Sequence, residues 1–423
     1  MGFVKIENKR VNEHYYRMEH RSGLTIIVYP KRGFNSIYAS IGTKFGSVYS
    51  KFVFNGREIT VPDGTAHYLE HKLFESEDGD AFSKYAKTGA SANAYTSFDM
   101  TCYLFSCTSK FRESLEILID LMQTPYFTKE TIAKEQGIIS QEIKMYDDNP
   151  DWRVMMNLFK GMYHSHPINI DIAGTVESIA QITPEILYDC YNSYYNPHNM
   201  VLTVVGGADP AEVLEITDKK LIPGKNVDTR LIIPDEPYKV VKSYTEQTMP
   251  VAVPQFEIGF KEDSADKYAT NKELVCTSVL MNSFVGEGSG LYRKLMDEKL
   301  INSGFGYEYL EGLGYRSVIL SGESRNPQAA AEIINDAVRK LHKDGVSRED
   351  FENAKKAVYG KCIAGFDYKQ SIASELMNSQ FTGREIFEAA DAAAEITLND
   401  VNERLQYQLD ADNSCLSVVK CEE

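Results

Sequence analysis

Apolar and polar positions along this chain fall into two textures, short β-rich runs and longer stretches at helical spacing. Residues 24–29 (Leu-Thr-Ile-Ile-Val-Tyr), 36–41 and 101–106 are dense in β-branched and aromatic side chains, which predicts strands. Residues 64–74 and 111–122 instead repeat their apolar positions every three to four residues, which predicts helices. A further helix is expected from Thr128, where Phe127-Thr128-Lys129-Glu130 reads as a capping-box-like start and Ile132, Ile139 and Ile143 mark one buried stripe. Residues 200–205 form another strand that closes a first domain. Between 208 and 250 the periodicity fades and Pro210, Pro223, Pro234, Pro237 and Pro250 accumulate, so linker is expected there. A second series of strands and helices opens at 251–259 and ends at 415–420. The fold class is therefore α+β, two similar domains over 1–225 and 226–423, each an antiparallel-rich sheet packed against helices.

Composition narrows the function classes. The 423 residues carry a formal net charge of −16 and a pI near 5.1, the opposite of a nucleic-acid-binding footprint. The first residues contain no apolar core of a secretory signal, and no apolar run approaches the about 18 residues of a membrane span. Seven cysteines are scattered without a paired framework, which fits reduced thiols. A cytoplasmic, membrane-free protein is expected.

The strongest chemical signal is His67-Tyr68-Leu69-Glu70-His71. On a helix, two histidines four positions apart share a face with Cβ atoms about 5–6 Å apart. Both imidazoles then reach a single zinc ion at about 2.0–2.1 Å. Glu70 projects near the open side of such a metal, where a carboxylate takes a proton from water that the metal has acidified. A third ligand must come from another element. Glu135 and Glu142, two turns apart on the helix expected from Thr128, share a face and are the acidic candidates. Any one such glutamate, taken alone, more commonly sits on a solvated face.

The inverted His-x-x-Glu-His pattern followed some 70 residues later by Glu-x6-Glu resembles the insulinase or pitrilysin family of zinc peptidases, which includes the mitochondrial processing peptidases. Asn93-Ala94-Tyr95-Thr96 resembles that family's substrate-pairing edge strand. His166-Pro167, Gly174-Thr175 and Tyr195-Asn196-Pro197 resemble the close of its first domain, and Tyr146 to Arg153 resembles a YmfH-type branch. The resemblance implies His67, His71 and Glu142 as zinc ligands, Glu70 as general base, Glu135 as the acid that orients the site, and Asn93 and Ala94 beside the scissile bond. It also implies two domains enclosing a cavity and a peptide substrate.

The second half reads as a repeat without the chemistry. Ser347 to Ala354 echoes Thr128 to Glu135, placing Lys361 where Glu142 stands. Leu291-Tyr292-Arg293-Lys294-Leu295 overlays the histidine motif. Gly286 to Gly290 is expected to be a turn before a helix, not a phosphate loop. Active single-chain relatives carry an Arg and a Tyr seven residues apart that reach the substrate; here Met296 and Ser303 occupy those places, with Arg293, Tyr307 and Tyr309 as substitutes only in a gapped register. The expectation is a zinc endopeptidase whose missing pair comes from a homologous partner subunit, as a heterodimer or homodimer. The alternative is a non-catalytic zinc-binding scaffold or a peptide-binding subunit. His164, His166 and His198 are expected at the surface or in turns.

Overall fold

In the computed structural model, which describes all residues except 1, 32, 78, 226, 264–266 and 423, each predicted strand lies within two residues of an observed one. A seven-stranded sheet runs in the order Val4–Asn8, Glu13–Glu19, Thr25–Pro30, Met200–Gly206, Ile37–Thr43, Thr101–Cys107, Ser91–Thr96. A five-stranded sheet runs Tyr244–Met249, Ser414–Cys421, Gln255–Lys261, Tyr315–Glu323, Gly306–Gly312. The last five strands of the first match the second one for one. Thr25–Pro30 with Met200–Gly206, and Tyr244–Met249 with Ser414–Cys421, are the parallel pairs, and the three pairs that follow in each sheet are antiparallel. The duplication is therefore real at the level of topology, and the class is α+β as expected.

Contacts gather the chain into two compact units. One comprises residues 1–143, 171–232 and 364–387; the other comprises 144–170, 233–363 and 388–423. These units cut across the continuous division at 225/226. Each sheet is covered by a helix that the other half of the sequence carries. Lys369–Thr382 packs on Met200–Gly206 and Ile37–Thr43 of the first sheet, whereas Pro150–Met162 packs on Gln255–Lys261 and Ser414–Cys421 of the second. The two contacts even share a device. A Cβ on Gly42 would lie 2.2 Å from Met377 Sδ, and one on Gly259 would lie 2.3 Å from Met162 Sδ, so each central strand needs glycine where a methionine of the covering helix seats.

Several expectations change. Residues 208–250 are not simply linker: Pro210–Lys220 is a helix and Thr229–Leu231 and Tyr244–Met249 are strands. Pro210 sits at the first helical position, where a missing N–H costs nothing, behind Asp209, which caps Ala211 N–H. The element order also moves the repeat by one helix. Two helices, Asn271–Val285 and Gly290–Asp297, separate Gln255–Lys261 from the following hairpin, just as Thr65–Leu73 and Ala81–Thr88 precede Ser91–Thr96. The counterpart of the histidine helix is thus Asn271–Val285, which contains no histidine, and residues 291–295 correspond to the helix after it. Among the expected surface histidines, His166 is buried at 2 % exposure. Gly286–Gly290 is the expected turn, with Ser289 capping Tyr292 N–H.

Candidate metal centre

The helix Thr65–Leu73 begins abruptly because Gly64 takes φ 87°, and a Cβ there would lie 2.4 Å from the Ala173 carbonyl oxygen. Its four-residue spacing does what the sequence promised: the His67 and His71 rings stand on one face with centroids 4.7 Å apart. The helix Lys129–Asp147 supplies the acids. Thr128 accepts from Thr131 N–H, and Thr131 Oγ1 in turn accepts from Thr128 N–H, so the capping box closes through Thr131 and not through Glu130. Ile132, Ile139 and Ile143 bury one side of this helix, and Glu135 and Glu142 then face the histidines. The relative setting of the two helices is held by Tyr68, whose hydroxyl donates to the Ile132 carbonyl at 2.6 Å.

Donor atoms of His67, His71 and Glu142 all lie within 4.8 Å of one another. Glu142 Oε1 is 3.5 Å from His67 Nε2 and its Oε2 is 3.3 Å from His71 Nε2. These separations are long for N–H···O hydrogen bonds, which cluster at about 2.9–3.0 Å. They match instead two ligands about 2.0–2.1 Å from a common tetrahedral ion, which stand about 3.3–3.4 Å apart. His71 Nδ1 meets Glu135 Oε1 at 3.0 Å, which fixes the ring and leaves Nε2 as the donor. His67 Nδ1 is buried with no hydrogen-bond partner among the described residues, so this ring is held by packing alone. The donor set is the His₂Glu kind that suits zinc, and the residues present fit that ion.

The electrostatics point the same way. Hydrogen bonds from His67 and His71, outweighing burial, hold Glu142 well below the ordinary carboxylate range. The bond to His71 likewise lowers Glu135. Burial opposes charge on His71, yet Glu135 and Glu142 overcome it and push its pKa up to about 10. A field that draws a proton this strongly favours a dication in its place. Glu70 behaves differently. It is 8 % exposed, and burial raises its pKa, partly offset by His67 and by the short bond from Thr96 Oγ1 at 2.6 Å. One carboxylate of the group is thus poised to exchange a proton while its neighbours stay ionised.

Asn93 and Ala94 lie on Ser91–Thr96, the last strand of the seven-stranded sheet, and line a cavity of about 740 Å³ shared with Glu70, His71 and Glu135. The motif reading missed Tyr68 and Thr96 as positioning residues. Both lie inside the quoted motifs, but only the contacts reveal what they hold. In the other unit Met296 is 37 % exposed on Gly290–Asp297 and Ser303 lies in an exposed turn. Arg293 Nε donates to Ser289 O, Tyr307 OH bonds Asn282 and Ser278, and Tyr309 OH accepts from Arg404.

The family model described as "Insulinase (Peptidase family M16)" matches residues 58–176, and that described as "Peptidase M16 inactive domain" matches 181–358. The uncharacterized zinc protease YmfH of Bacillus subtilis (strain 168) is 38% identical over 417 residues, 96% of both chains. This chain belongs to the insulinase family, peptidase family M16. A crystal structure described as an M16-like peptidase from Alicyclobacillus acidocaldarius is 32% identical, with a TM-score of 0.94 over 99% of this chain and 100% of that one. A probable mitochondrial-processing peptidase subunit beta of Arabidopsis thaliana is 26% identical over 253 residues, 57% of this chain and 47% of that one. Family membership agrees with the YmfH-type resemblance, and relatives named zinc proteases imply zinc as the metal. No helix among the described residues is long and apolar enough to cross a membrane.

Proposed function

We propose that this chain is a zinc-dependent endopeptidase cutting peptides or short unfolded segments, with His67, His71 and Glu142 as metal ligands and Glu70 as general base. The observation that carries this reading is the convergence of the three donors at ligand spacing beside a buried, proton-hungry glutamate. When bound, zinc supplies a Lewis acid that polarises the peptide carbonyl and acidifies water.

The chain's own residues do the rest. Glu70, ionised and oriented by Thr96, accepts the proton of the attacking water and delivers it to the departing amine. Glu135 holds the His71 ring by its Nδ1 and keeps Nε2 turned toward the metal position. The strand Ser91–Thr96 pairs with Thr101–Cys107 on one side only, so its outer edge is free to take an extended substrate by strand addition, which sets Asn93 and Ala94 beside the scissile bond. Because Arg293, Tyr307 and Tyr309 are engaged locally, the Arg/Tyr pair of single-chain relatives comes from a homologous second subunit, and this chain is the catalytic partner.

The test is cleavage of a quenched fluorescent peptide library by the zinc-loaded chain, alone and with a candidate partner subunit, against Glu70→Gln as blank. Glu70-dependent cutting is expected, with turnover at least ~10²-fold lower in Glu70→Gln. Equal turnover in that variant would remove Glu70 from the reaction. Robust cutting by the chain alone would remove the need for a partner.

A further inference from the structure

The second unit, which holds none of the metal-centre residues, contains a cavity of about 810 Å³. Its inner wall is a buried polar network. Arg404 donates through Nη2 to Glu262 Oε2 at 2.7 Å and through Nε to Thr277 at 3.0 Å, and Gln408 donates to the other oxygen of Glu262. Both carboxylate oxygens of Glu262 are thereby satisfied. Arg316 is not. It is 7 % exposed and donates from Nη2 to the Lys267 carbonyl, yet its Nε is buried with no partner among the described residues. A buried donor left unmet costs about 1–3 kcal/mol, so the wall calls for an acceptor.

One water would satisfy that atom, but a water occupies about 30 Å³ of liquid volume and the cavity is within the usual range for small-molecule sites. The rim restricts what fills it. Glu403, Asp410 and Asp412 line the mouth beside Tyr407, whose ring is 74 % exposed. A multiply charged anion would meet the carboxylates at the mouth, and a simple cation would meet the guanidinium groups of Arg316 and Arg404 inside. A ligand with a carboxylate at one end and an ammonium at the other satisfies both.

We propose that this cavity binds a short peptide by its termini, the free C-terminal carboxylate accepting from Arg316 Nε and the α-ammonium facing the acidic rim at Glu403. Naming a peptide in preference to another zwitterion rests on the peptidase reading above; the charge argument does not. The site is then a place where a cleavage product is held away from the metal-centre residues.

The test is calorimetric titration of the full-length, zinc-loaded Glu70→Gln protein with trialanine, compared with trialanine amide and N-acetyl-trialanine. Saturable one-to-one binding is expected, at least ~10-fold weaker for each blocked peptide and for the Arg316→Gln and Glu403→Lys variants, since each removes a charge-assisted contact. Absence of binding at millimolar trialanine, an amide that binds as tightly as the acid, or binding unchanged by Glu403→Lys would overturn the proposal. Glu403 is exposed, so that variant carries the test even where Arg316→Gln fails to fold. The titration involves no cleavage, so its failure is distinct from a failure of the wild-type chain to cut peptides.

Discussion

Residues 1–225 contain every group of the candidate metal centre, and produced alone they are expected not to fold. The reason lies in the helix Lys369–Thr382 and the segment after it. Ile372, Leu376, Met377, Ile386 and Phe387, each at most 7 % exposed, pack with Tyr15, Ile27, Tyr29, Val201 and Val205 of the first sheet. Burying a side chain of this size contributes about 1.5–3 kcal/mol, so five of them amount to about 8–15 kcal/mol. Extended-chain bookkeeping makes that an upper figure, yet it equals the whole stability of an ordinary domain, about 5–15 kcal/mol. Lys44 would in addition lose the Phe381 carbonyl to which its ammonium donates at 2.7 Å. The experiment is purification of 1–225 and of 226–423, separately and mixed. Thermal unfolding by circular dichroism and zinc content would be measured on each. Fragment 1–225 should show no cooperative transition and no stoichiometric zinc, and the mixture should regain both. A cooperative transition near that of the full chain for 1–225 alone would refute the exchange of covering helices as a stability requirement.

Three further outcomes follow from the site and the fold. Glu135→Gln should weaken zinc binding about 10–100-fold in chelator competition, as loss of the acid behind a ligating histidine does, and unchanged affinity would detach Glu135 from His71. His67→Ala or Glu142→Ala should release the metal, so full zinc occupancy by elemental analysis in either variant would sink the ligand assignment. Burial depresses the His166 pKa to about 4, with Leu313 O at 2.9 Å from Nε2 and Ile168 N–H on Nδ1. The unfolded chain, with a histidine pKa of about 6.5, binds the proton first, so stability is complete above about pH 6.5 and falls as pH drops toward 4. The expected loss is about 2 kcal/mol between pH 6.5 and 5 in denaturant titrations, and a slope in that window that His166→Gln leaves intact would refute the assignment.

Legibility in the sequence followed the range of the interaction. The spacing of His67 and His71 is a property of any helix, and the stripe of Ile132, Ile139 and Ile143 set the face on which Glu135 and Glu142 would lie. Strands 101–106 and 200–205 announced themselves by β-branched and aromatic content. The helix Pro210–Lys220 was hidden because proline reads as a breaker unless its place at the first turn is known. The repeat was misregistered by one helix because residues 291–295 resemble the motif in local spacing, whereas equivalence is decided by which helix follows which strand.

By itself the sequence determined the elements, the two-domain α+β class and the inventory of donors, since these depend on contacts within a few turns of one chain segment. Tertiary structure alone decided that Tyr68 locks the two helices so that donors from residues 67–71 and 142 converge, that Thr96 reaches Glu70, and that His166 is buried. It also decided that each sheet is covered by a helix from the other half of the chain. Such pairings join residues tens to hundreds of positions apart, and apolar periodicity records only that a face will be buried, never against what.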